Sequence, residues 1–87
     1  MTPTSIYARA IARWGTDAQT DMAIEECAEL IMAIQHFRRG RINAGAVASE
    51  IADVEIMMSQ LRRIFGTEYV DAAKADKLAR LEGRMAQ

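Results

Sequence analysis

A single proline, at position 3, leaves the rest of this chain free of the residue that most strongly breaks helices. No stretch alternates apolar and polar side chains for long, so the period-two signal of strands is missing. Helices are expected throughout, and glycines punctuate them. Gly15 follows Trp14, Gly40 follows Arg38-Arg39 and Gly66 follows Ile64-Phe65, each placed as a C-terminal stop. Start signals are equally legible. A first helix begins after Thr2, with Pro3 in its first turn, where a missing N–H costs little. Thr16 and Gln19 have capping-box spacing for a second helix running to about Arg39, with Asp17 in its first turn. Asn43 is the expected cap of a third helix that ends near Phe65. Thr67 is placed to cap a fourth, with Glu68 and Asp71 early and Lys77, Arg80 and Arg84 late, matching the macrodipole. The expected fold is all-α: one domain over residues 1–87, about four helices in an antiparallel bundle, short loops between them.

A chain of 87 residues is near the small end of what folds alone, and its core is thin although 51% of its residues are hydrophobic. Thin cores favour homo-oligomerisation, because pairing chains buries surface that one chain leaves wet. Lys and Arg number 11 against 12 Asp and Glu, so there is no overall basic field to hold nucleic acid. No apolar run approaches the ~18 residues of a membrane span, and the N-terminus lacks the apolar block of a signal peptide. One cysteine, Cys27, excludes an internal disulfide and suits a reducing compartment. The expected location is the cytoplasm.

Acidic residues carry the chemical signal. On the second helix, Ile24, Cys27, Leu30, Ile31 and Ile34 form an apolar stripe at helical spacing. Glu26 and Glu29 share one face, on a row that runs Gln19, Met22, Glu26, Glu29, Ala33, whose other members are uncharged. Glu25 lies on the far side from the stripe. On the third helix, Val47, Ile51, Val54, Met58, Leu61 and Phe65 mark the expected core face. At about 100° per residue, Glu50 falls within that apolar sector and Asp53 at its edge. Two helices joined by a short turn can therefore gather Glu26, Glu29, Glu50 and Asp53 into one cleft. Ionised carboxylates so close repel, and protons or cations must compensate. An isolated Glu-x-x-Glu is ordinarily a solvated pair, and ion pairing with Arg38, Arg39 or Arg41 is the structural alternative. All-oxygen ligands in helical pairs suit a hard divalent ion, Mg²⁺ with Mn²⁺ as a substitute. His36 and Cys27 supply no zinc cluster, and the Glu-x-x-His pairs of di-iron bundles are missing. Mg²⁺ so held keeps waters and completes its shell with substrate phosphates.

Glu25-Glu26-x-x-Glu29, then 20 intervening residues, then Glu50-x-x-Asp53, resembles the EExxE…ExxD signature of the MazG-type all-α NTP pyrophosphohydrolases. The resemblance extends upstream to Trp14-Gly15 and Gln19 and downstream to Lys77-Leu78-x-Arg80-Leu81-x-x-Arg84, roughly Trp14 to Arg84. It implies metal ligation and catalysis by Glu26, Glu29, Glu50 and Asp53. The implied reaction cleaves a nucleoside triphosphate to the monophosphate and pyrophosphate. A homodimer or higher homo-oligomer is also implied, with helices of two chains completing the bundle. The chain is shorter than many such enzymes, which leaves its grip on the base the least transferable feature.

Supporting residues have two readings each. Lys74, Lys77, Arg80 and Arg84 either reach phosphates or simply complement the last helix's dipole, with Lys77 and Arg80 the better candidates for substrate. Gln19 either bonds a base edge or completes the capping box with Thr16. Trp14 either stacks on a base or packs in the core. Arg38, Arg39 and Arg41 surround the Gly40 turn and read as a wet basic loop, while Met32, Met57 and Met58 read as packing residues. The alternative to an enzyme is a non-catalytic helical module that dimerises through the same fold. A DNA-binding protein fits poorly, because no helix is basic enough to serve for recognition.

Overall fold

The computed structural model describes residues 1–87 and is entirely helical. Its elements are α1 (Pro3–Trp14), α2 (Thr16–Arg38), α3 (Ala44–Phe65) and α4 (Thr67–Met85). The Thr2 side chain caps α1 by accepting from the Ser5 N–H at 3.2 Å. Asn43 does the same for α3, its Oδ1 accepting from the Ala46 N–H at 2.9 Å. Gly15, Gly40 and Gly66 all lie where a helix stops, with φ of 91°, 73° and 107°.

Two expected caps do not form. Gly15 and Gly66 are each the only residue between consecutive helices, so each glycine occupies the cap position itself. Thr16 and Thr67 are then already helical, without the extended backbone from which a cap hydroxyl reaches the first-turn N–H groups. Thr67 Oγ1 instead donates back to the Arg62 carbonyl at 3.5 Å. At Gly66 the tightness is steric as well. A Cβ there would come within 2.6 Å of the Tyr69 ring, at a φ that side-chain-bearing residues avoid.

α2 and α3 form the principal packed pair, α1 lies against both, and α4 touches only α3. The face on which α2 and α3 meet is not the one apolarity predicts. Ala23, Ala33 and Met57 are buried there together with Gln19 and Gln60, and no side chain is completely sealed. The expected core stripes instead face outward for much of their length. Ile24 and Ile31 are 68% and 59% exposed, and Ile34, Ile51, Met58 and Phe65 are exposed as well. Only Cys27, Leu30, Val47, Val54 and Leu61 of those stripes are half-buried. The physical reason is a shift of about one residue, or 100°, in which stripe is used. The buried seam of α2 steps Gln19, Ala23, Glu26, Leu30, Ala33, and that of α3 steps Glu50, Asp53, Met57, Gln60, Ile64. Alternating steps of three and four are the spacing at which two helices interlock. Small Ala23 and Ala33 let the backbones approach, which the bulkier isoleucine stripe does not.

One chain alone is therefore an open object. Its radius of gyration is 15.7 Å, against about 12 Å for a close-packed domain of this length. It exposes 6709 Å², roughly 1,600 Å² beyond the surface expected of a folded monomer of this mass. No helix is long and apolar enough to cross a membrane.

Candidate metal centre and adjoining cavity

The interlocking seam carries the acids to the α2–α3 interface. Glu26, Glu29 and Glu50 each offer a carboxylate oxygen, and these oxygens lie within 4.8 Å of one another. Asp53 stands beside this triad, half-buried, one turn along α3 from Glu50. Glu26 and Glu50 are half-buried too, whereas Glu29 sits at the exposed lip. Glu25, next to Glu26 in sequence, points away and is exposed, as its helical position predicts.

Two observations separate this cluster from an ordinary acidic patch. Glu26 Oε2 and Glu50 Oε2 are shut off from solvent and have no hydrogen-bond partner. Nor does any cation neutralise them, since the one ion pair of the chain joins Arg62 to Asp71, elsewhere. Arg38, Arg39 and Arg41, the structural alternative considered for these acids, stay exposed around the Gly40 turn and pair with nothing. The electrostatic consequence is a raised pKa at two positions. Burial pushes the Glu26 carboxyl up, and the charges of Glu29, Asp53 and Glu50 add to it. Burial likewise raises Glu50, reinforced by Glu29 and Asp53. Orphaned, converging oxygens without a basic partner are the donor set a hard divalent cation requires, so the residues present fit Mg²⁺.

A cavity of about 520 Å³ opens directly beside the cluster and shares Glu26 and Asp53 with it. Gln19, Met57 and Gln60 form its inner wall, and Trp14 stands at its edge. Trp14 is 60% exposed, so the core reading of this ring fails: α1 ends at Gly15 before any helix can cover it. The Arg13 guanidinium lies 5.7 Å from its ring centroid. Gln19 is buried and makes no capping contact, so the capping-box reading fails as well.

The basic residues of α4 lie apart from this cavity. Lys77, Arg80 and Arg84 line a separate groove of about 260 Å³ on α4, and Lys74 is exposed nearby. α4 makes no packing contact with α2, which holds Glu26 and Glu29. Of the methionines read as packing residues, Met57 is buried while Met32 and Met58 are exposed. Gln60 was not among the residues singled out from sequence. The signal for it was the seam itself, because position 60 continues the Asp53–Met57 row by three residues. Comparison with protein-family models, curated proteins and solved structures gives no match.

Proposed function

We propose that this protein is a Mg²⁺-dependent nucleoside triphosphate pyrophosphohydrolase, releasing pyrophosphate and a nucleoside monophosphate, of the MazG-like kind its motif resembles. The single observation that carries the reading is the pair of buried, unpartnered oxygens on Glu26 and Glu50 within a triad of converging carboxylates. Buried carboxylate oxygens call for a proton, a water or a cation to complete them, and a convergent all-oxygen set without a basic neighbour suits a cation. Glu26, Glu29, Glu50 and Asp53 are the proposed ligands. Mg²⁺ held there supplies charge neutralisation for the polyphosphate and acidifies a bound water. Glu29, the exposed member of the triad, is the one proposed to meet an incoming triphosphate first. Gln19 and Trp14 are the proposed contacts to the nucleoside, from the cavity that adjoins the acids.

The same reading includes an antiparallel bundle completed by a second chain. Gln19 shares its cavity wall with Gln60, Glu26 with Asp53, and Glu29 lies by Glu50, a register in which numbers rise on one helix as they fall on the other. Exposed Ile24, Ile31, Ile34, Ile51 and Met58 supply the surface a partner copy would cover. The surplus of exposed area on one chain is about twice the ~800 Å² that each partner of a standard interface buries. Lys77 and Arg80 are proposed to meet phosphate from their own groove, delivered by this pairing of chains. A purely structural dimerisation module would use the same isoleucines but would have no need for orphaned acids, which favours the enzyme.

The test is pyrophosphate release from a panel of ribo- and deoxynucleoside triphosphates with Mg²⁺, with Mn²⁺ and with EDTA. Release that depends on the metal is expected. No release from any nucleotide by the folded protein would overturn the reading.

A further inference from the structure

Two of the five buried residues of this chain are glutamines, and both face one cavity. Gln19 is 6% exposed and Gln60 5%. Neither side-chain amide makes a hydrogen bond within the protein. Gln60 Oε1 is wholly shut from solvent and unpartnered. Leucine or methionine at either position would extend the seam without that cost, so packing does not account for the amides. They sit on the wall of a space of about 520 Å³, within the range of small-molecule sites, with Met22, Ile56 and Met57 providing apolar surface. Glu26 and Asp53 form the other wall, and the Trp14 ring borders it.

A ligand that satisfies this lining is flat, apolar on its faces, and carries donors and acceptors side by side along an edge. A heterocyclic base meets all three conditions. A carboxamide that turns to bring its shut-in oxygen to the cavity matches such an edge with paired hydrogen bonds, and an indole offers a face to stack upon. We propose that Gln60 is the base-reading, specificity-determining residue of this protein, with Gln19 as its companion in the same cavity. The inference rests on the nucleotide reading above and sharpens it. Glu26 and Asp53, through the Mg²⁺ they are proposed to hold, would then face the phosphate end of the molecule whose base lies against Gln60. Because a buried amide discriminates most strongly when a mismatched ligand leaves it unpaired, the preference among bases should reside here.

Trp14, the only tryptophan, borders the cavity and gives a direct reporter. The experiment titrates free nucleosides and nucleoside monophosphates, without metal, into the intact protein and into Gln60→Met, following tryptophan fluorescence. Saturable quenching by at least one base type is expected, with affinity at least ~10-fold weaker in Gln60→Met, as loss of a buried polar contact implies. Gln60→Met should melt no lower than the parent, because it removes an unpartnered buried amide at similar volume. Gln60→Glu, which presents acceptors only, should reorder the ranking of bases. Absence of quenching by every nucleoside and monophosphate would overturn the proposal, as would equal affinity in Gln60→Met. So would a uniform loss across all bases with a lowered melting point, which would mark Gln60 as structural. None of these outcomes depends on pyrophosphate release, so a failure of hydrolysis and a failure of base reading are seen separately.

Discussion

α2 and α3 each present two neighbouring stripes, and the chain buries the more polar one. The inner seam holds Gln19, Glu26, Glu50, Asp53 and Gln60 among small or flexible partners such as Ala23, Ala33 and Met57. The outer stripe holds Ile24, Ile31, Ile34 and Ile51 and stays wet. If hydrophobic burial within one chain decided the matter, the order would be reversed, since a fully exposed isoleucine forgoes about 1.5–3 kcal/mol and these forgo about half of it. The contrast teaches that apolarity alone did not choose the buried stripe. In the proposed function the inner stripe serves a ligand and the outer one a second copy of the chain.

The largest effect expected from breaking this contrast lies on the inner seam. Glu26→Gln or Glu50→Gln should lower metal-dependent hydrolysis at least ~100-fold, more than the loss of a merely supporting group, while circular dichroism shows unchanged helix content. Hydrolysis at the parent rate in either variant would mean that the assigned centre is wrong. On the outer stripe, Ile31→Glu should dissociate the proposed dimer in sedimentation velocity, raising its dissociation constant about 30-fold for a hot-spot loss of ~2 kcal/mol. An unchanged sedimentation profile would free that stripe of its assigned role. Packing gives a third comparison. Ala33→Leu inside the seam should cost about 1–3 kcal/mol in denaturant unfolding, whereas Ala28→Leu, exposed on the same helix, should stay within about 0.5 kcal/mol.

A gentler probe is pH. Glu26 and Glu50 have raised pKa values, so in the window above the ordinary 4.5 the folded chain binds more protons than the unfolded one. Stability of the metal-free protein is therefore expected to increase as pH falls from neutrality through that window, with the slope given by the difference in bound protons. Saturating Mg²⁺ should flatten this trend, because cation and protons compete for the same oxygens. A metal-free melting point that drops steadily over the same range would contradict the electrostatics of the cluster. The smallest effect belongs to Glu25→Gln, which should change hydrolysis less than about 2-fold, its side chain lying exposed on the opposite face from the triad.

Much of this architecture was legible in the sequence. Glycine stops at 15, 40 and 66 and the Asn43 cap mark the helices because each expresses a local backbone requirement. Glu26, Glu29 and Glu50 could be gathered from spacing alone, since a helix turns by a fixed angle. What spacing could not supply was which of two adjacent stripes faces inward. Ranking by apolarity chose the isoleucines, because that ranking gives an apolar stripe no fate but the core of its own chain. Gln60 was overlooked because an amide on a helix face reads as solvated until the opposing helix of the same chain is in place. Thr16 and Thr67 misled in a smaller way, as good capping residues displaced by glycines that left no loop to cap.

The one-residue joint at Gly66 determines more than where α3 stops. With no slack between Phe65 and Thr67, α4 cannot slide along its neighbour, and its start is pinned to the end of α3. Its heading depends on two torsions of a residue that tolerates no Cβ beside the Tyr69 ring. The Arg62–Asp71 ion pair and the Thr67 hydroxyl on the Arg62 carbonyl brace this heading. Lys77, Arg80 and Arg84 are thus aimed as a rigid unit, like the teeth of a key cut on one shank. Any change at position 66 steers all of them together, without touching a single basic residue.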